Sequence, residues 1–169
     1  MTTENEINNA KQRFLSKRNA GISATRSDGS IRSEGTDVNA TLAEKFAADL
    51  FGCKFNDEVY DNEGDGGLDF ILDTTKGNKE VEVIWLGFHK DSTSPRKNGH
   101  LIVNQYEKHR WADIYMVVSG SVDDGFSFVG WTTHKELSKR PLKDFGYGKK
   151  MAMHTKDLYS KEQILKYLK

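Results

Sequence analysis

The sequence predicts a mixed α/β fold of the α+β kind, in which a central mixed β-sheet is flanked by helices. Three observations carry this. Apolar residues recur at helical spacing in the first fifty positions, alternating and continuous apolar runs follow between about 68 and 131, and short helical segments close the chain. The 169 residues suffice for one domain with a sizeable core. An N-terminal helix and polar arm occupy 1–38 and the core 39–169.

Residues 5 to 18 form an amphipathic helix with Ile7, Ala10, Phe14 and Leu15 on one side and Lys11, Arg13, Lys17 and Arg18 around it. Residues 19 to 38 hold Gly, Ser, Thr, Asp and Arg with almost nothing apolar and read as a loop. A second helix runs from Thr41 to about Phe51, because Leu42, Phe46 and Leu50 recur every four residues, and Gly52 stops it. Val59-Tyr60 reads as a short strand. Leu68 to Leu72 and Glu80 to Trp85 read as a hairpin turning through Thr74-Thr75-Lys76-Gly77-Asn78. Gly87 to Gly99 is polar and predicts a mobile loop before a strand at Leu101-Ile102-Val103. Ala112 to Val118 is nearly continuous in apolar residues, as a central strand buried on both faces requires. Phe126 to Trp131 is a further strand, Thr133 to Lys139 a short helix ended by Pro141, Met151 to His154 a strand and Ser160 to Leu168 a last helix.

Composition narrows the function classes. No apolar run is long enough to cross a bilayer, and the polar start lacks the apolar segment of a signal peptide, so a cytoplasmic location is expected. The single cysteine, Cys53, excludes an internal disulfide and a thiol-rich metal cluster, and reads as small core packing. Net charge is zero but unevenly spread. Residues 1–94 hold 11 Lys/Arg against 17 Asp/Glu, and residues 95–169 hold 14 against 8. Between Asp57 and Glu82 nine acids face only Lys76 and Lys79. An acidic pocket beside basic surface suits a cation-dependent enzyme acting on a polyanion; an ordinary solvated surface whose halves happen to differ explains the charge equally well.

The acids themselves are unusually placed. Asp69 lies between Leu68 and Phe70 at the head of one strand, and Glu82 lies mid-strand in Val81-Glu82-Val83. Burying an unpaired carboxylate is costly, so two of them on adjacent strands suggest a hard divalent cation with oxygen ligands. Glu80 shares the Glu82 face and reads as solvated at the strand end. Glu44 closes Thr41-Leu42-Ala43-Glu44, a capping box in which it would cap Thr41. Asp61, Glu63, Asp65, Gly66 and Asp69 match part of an EF-hand loop, but its twelfth place is Leu72 and its flanks look like strands.

An acid on an early helix (Glu44), Gly64-Asp65-Gly66-Gly67-Leu68-Asp69, and a strand with Val81-Glu82-Val83 together resemble the PD-(D/E)XK nuclease superfamily, in its phage and bacterial members. The Ala112-Asp113-Ile114-Tyr115 strand and the Gly130-Trp131 strand end extend the likeness over approximately residues 40 to 160. The resemblance implies a restriction-endonuclease-like core and Mg²⁺- or Mn²⁺-dependent hydrolysis of DNA phosphodiesters. Asp69 and Glu82 would then be metal ligands with the carbonyl of Val83, and Glu44 would bind through water or support the site. The family's lysine belongs two residues after Glu82, where Ile84 stands. Either another cation takes over, with Lys90 the nearest in sequence, or the protein binds without cutting. Arg26 and Arg32 on the arm, with Arg96, Lys97, Lys108 and Arg110, are the expected phosphate contacts. His89, His100 and His109 are candidate general bases, whereas His134 and His154 lack a zinc pattern. A homodimer is expected if both strands are cut at once.

Overall fold

A computed structural model describes residues 2–19, 33–55, 68–108 and 111–168. Two helices open the fold, α1 (Glu4–Asn19) and α2 (Glu34–Leu50). They pack through Ala10, Val38 and Leu42, with Ile7 beside them. The second helix starts earlier than its apolar spacing indicates. Ser33 is its N-cap, its hydroxyl accepting the Thr36 amide at 3.3 Å, and Glu34 and Asp37 bring acid to the positive end of the helix. The last residues of the segment expected as loop through 38 are therefore helical from Glu34 onward. Thr41 lies inside the helix and is buried, so the capping box expected at Thr41–Glu44 does not form.

The main sheet has four strands in the order β1-β2-β4-β5: β1 (Phe70–Thr74), β2 (Gly77–Trp85), β4 (Ile114–Ser121) and β5 (Gly125–Thr133). The pairs β1/β2 and β4/β5 are antiparallel and β2/β4 is parallel, giving the expected mixed central sheet flanked by helices. Every residue of β4 is buried, as its apolar run predicts. One sheet face carries Phe70, Leu72, Val81, Val83, Met116 and Val118 against Ala43, Ala47 and Ala48 of α2; small residues let the helix backbone approach closely.

The other face is covered by a second sheet rather than a helix. It contains β3 (His100–Val103), β7 (Lys149–His154) and the two-residue β6 (Lys143–Asp144), in the order β3-β7-β6. Leu101, Val103, Met151 and Met153 point inward onto Tyr115 and Val117, with Ile84 and Leu86 packed beside them. Two short helices complete the chain, α3 (His134–Ser138), capped by the Thr133 hydroxyl, and α4 (Lys161–Leu165), opened by a Ser160–Gln163 capping box. No helix among the described residues is long and apolar enough to cross a membrane. The strand expected at Val59-Tyr60 and the acids of the EF-hand pattern before Leu68 lie outside the described residues.

Candidate functional site

The β1–β2 register sets the site. Phe70 pairs with Val81, so Asp69, one position before the strand, stands opposite Glu82. Glu82 in turn pairs with Tyr115 of β4, and Tyr115 with Thr132 of β5. Laterally paired residues share a face, so Asp69, Glu82, Tyr115 and Thr132 form one polar row across the sheet, opposite α2. Cover diminishes along it. Tyr115 and Thr132 are fully buried beneath the second sheet, Glu82 is half-buried, and Ile71 on neighbouring β1 is 43% exposed.

Asp69 is 7% exposed, and its Oδ2 accepts the amide of Val83 at 2.6 Å, while its own amide donates to the Val81 carbonyl at 3.1 Å. The side chain thus takes an acceptor position where β1 has yet to begin. Backbone direction on β2 alternates. The Glu80 carbonyl and the Leu86 amide bond toward β4, whereas the Val81 carbonyl and Val83 amide face the β1 side. In an extended strand a residue's amide and carbonyl point the same way, so the Val83 carbonyl is aimed at the edge that Asp69 occupies. Asp69, Glu82 and Val83 are therefore neighbours at one strand edge, and each offers oxygen, the donor type hard divalent cations take.

The remaining predicted residues divide. Glu44, on α2, faces Arg13 of α1, with Nη1 to Oε2 3.7 Å. Arg13, one of the basic residues expected around the apolar side of α1, is 5% exposed, with its guanidinium 5.8 Å from the centre of the Phe55 ring. Among the described residues no group of three or more His, Cys, Asp or Glu side chains is gathered for a metal, so Glu44 does not join Asp69 and Glu82 in such a group. Ile84 is partly buried against the core beneath the second sheet, and the place of the family lysine is filled by hydrocarbon. Lys90 is exposed on a turn that is laced rather than loose: the His89 amide donates to Ser94, Ser92 to His89 and Arg96 to Gly87, and Trp85 meets Phe88 edge-on at 5.0 Å. Arg96 and Lys97 are exposed on the same segment. Arg26, Arg32 and Arg110 lie outside the described residues, as does His109.

A cluster that sequence reading missed stands at the buried end of the row. The Tyr115 hydroxyl is 3.0 Å from His134 Nδ1 and accepts the Ala112 amide at 3.3 Å. Which of the hydroxyl and Nδ1 donates depends on the His134 tautomer. Burial, reinforced by Glu82 and Asp113, raises the Tyr115 hydroxyl far above its ordinary range, against the opposing Ala112 bond. Burial lowers His134, while Asp113 pulls the other way. Trp111 lies against His134 at 4.3 Å between ring centres, and the Lys108 ammonium sits 5.9 Å from the centre of the Trp111 ring. Asp113 ties the strands together: its amide donates to Glu80, its carboxylate accepts the Glu80 amide, and its carbonyl accepts the His134 amide. The only sequence signal was an aromatic and a histidine near successive strand ends, and nothing in their spacing announces that they meet. Comparisons with family models, with curated proteins and with solved structures find no match for this chain.

Proposed function

We propose that the chain is a restriction-endonuclease-like, metal-dependent DNA endonuclease whose site is the Asp69–Glu82 strand edge. One observation carries the reading: the Asp69 carboxylate is bound to the Val83 amide at the edge where the Val83 carbonyl also points, directly across from Glu82. Asp69, Glu82 and the Val83 carbonyl would hold Mg²⁺ or Mn²⁺, while Glu44 lies on α2 across the sheet from them and faces Arg13. A bound divalent cation supplies Lewis-acid activation of water and stabilisation of charge on the phosphate. Basic side chains would hold the DNA backbone and position it. The cationic role left open by Ile84 falls to Lys90 or Lys108, and the ring contacts linking Lys108 through Trp111 to His134 favour Lys108. Cutting both strands of a duplex would take two copies of the chain.

Incubating supercoiled plasmid with the protein and Mn²⁺ tests this reading. Nicking that disappears with Asp69→Asn and Glu82→Gln supports it, and no nicking, or nicking unchanged in both variants, overturns it. The packing of Ile84 against the core favours a second reading, a nucleic-acid-binding module on the same frame that does not cut. Calorimetry showing DNA binding without Mn²⁺ binding would establish that one instead.

A further inference from the structure

The outer face of the second sheet carries a different chemistry. His100 and His154 are cross-strand partners with ring centres 4.9 Å apart. The β6–β7 turn reaches them: Lys143 Nζ lies 3.0 Å from His100 Nε2, and Phe145 meets the His100 ring edge-on at 5.3 Å. Phe145 and Tyr147 are near parallel, 19° apart at 6.1 Å, and the Lys143 ammonium sits 5.2 Å from the centre of the Phe145 ring. The two aromatic residues alternate with Gly146 and Gly148, at φ 94° and 101°, a left-handed backbone that favours glycine.

Charge on this hairpin is one-sided. Between 139 and 156 six basic residues face one acid, Asp144, whose Oδ1 is occupied by the Gly146 amide at 2.8 Å. Lys139 and Arg140 pair with Glu136 and Asp157. Lys143, Lys149, Lys150 and Lys156 are left without ion pairs among the described residues. Lysines alone have a simpler explanation, because charge on a short edge strand prevents edge-to-edge association. That explanation does not account for Phe145 and Tyr147, two half-buried rings set side by side among these lysines.

We propose that this face binds single-stranded nucleic acid, with Phe145 and Tyr147 stacking on bases and Lys143, Lys150 and Lys156 holding phosphates. Unpaired bases offer π-faces of any sequence, and lysines spaced around the rings match a flexible phosphate chain. A duplex would conceal the bases and leave the rings unused. The inference stands apart from the Asp69–Glu82 reading, because binding here requires neither metal nor cleavage.

Fluorescence anisotropy of labelled oligothymidylate in EDTA tests it. The full chain should bind the single strand more tightly than a duplex of equal length, and Tyr147→Ala should weaken binding roughly tenfold, the effect of losing one stacked base. Lys143→Ala and Lys150→Ala combined should reduce the salt dependence by about two phosphate contacts. These residues lie on an outer face, and an unchanged melting temperature in each variant excludes misfolding as the cause. Absence of binding at low salt, unchanged affinity in both variants, or equally tight binding of polyglutamate would overturn the proposal.

Discussion

The Asp69 carboxylate accepts the Val83 amide at 2.6 Å, which gives this acid a structural task as well as a candidate ligand role. Two substitutions separate them. Asp69→Asn keeps an acceptor oxygen for the amide, so stability should change little, whereas Asp69→Ala leaves a buried N–H without a partner and should cost about 1–3 kcal/mol. Mn²⁺ affinity should fall in both variants, because neither retains the charge. Chemical denaturation and calorimetry on the two proteins check this. Equal stability in both would show that the bond to Val83 contributes little, and retained Mn²⁺ affinity in Asp69→Asn would remove Asp69 from the site.

Strongly patterned segments were legible in the sequence, and pairings between distant segments were not. The apolar run at 112–118 admits only a doubly covered strand, and β4 is that strand. The β1–β2 hairpin follows from alternation and a glycine-containing turn, and with it the juxtaposition of Asp69 and Glu82. The start of α2 was hidden because Ser33 to Asp37 are polar and the apolar spacing begins only at Val38; the cap, not the core, defines that end. That β3 pairs with β7 could not be read locally, since about fifty residues separate them and either could have joined the main sheet. The consequences for the site follow from this. Ile84 reads in sequence as a missing lysine, but it is partly buried against the core under the second sheet, and the Tyr115–His134 contact exists only because β4 and β5 align.

Tyr115→Phe removes a hydroxyl that both accepts the Ala112 amide and meets His134 Nδ1. Both partners are left in a largely buried setting, so a loss of about 1–3 kcal/mol is expected despite the conserved ring. Urea unfolding measures it. A second readout isolates the effect on the histidine: without the hydroxyl, the imidazole NMR titration of His134 should shift. An unchanged titration would mean that the contact does not set the state of the ring.

Stability should fall on mild acidification. Burial lowers both His100 and His134 below the ordinary value of 6.5; Lys143, His154 and Lys156 push His100 further down, while Asp113 opposes the shift at His134. The unfolded chain therefore binds more protons than the folded one just below pH 6.5, and stability rises with pH through that window. The contribution is fully present above the unfolded value and is lost as pH falls through the lowered folded ones. Melting temperature measured from neutral to mildly acidic pH should decline, and the decline should be shallower in a His100→Asn, His134→Asn double variant. An identical slope in the double variant would assign the pH dependence to other groups.

The cation that substitutes for the family lysine can be identified by comparing Lys90→Ala with Lys108→Ala. Both side chains are exposed, so neither change should alter stability by more than about 0.5 kcal/mol, and differences in plasmid nicking report on the site rather than the fold. Lys108 lies over Trp111, which packs on His134, whose Nδ1 meets the tyrosine paired with Glu82. Lys90 sits on a turn tied to itself. Lys108→Ala should therefore reduce nicking at least tenfold, the order of loss for removing a charge that stabilises a phosphoryl transition state, with Lys90→Ala close to wild type. The reverse ranking would place the Lys90 turn over the site, and full activity in both variants would mean that neither lysine has taken over the missing role.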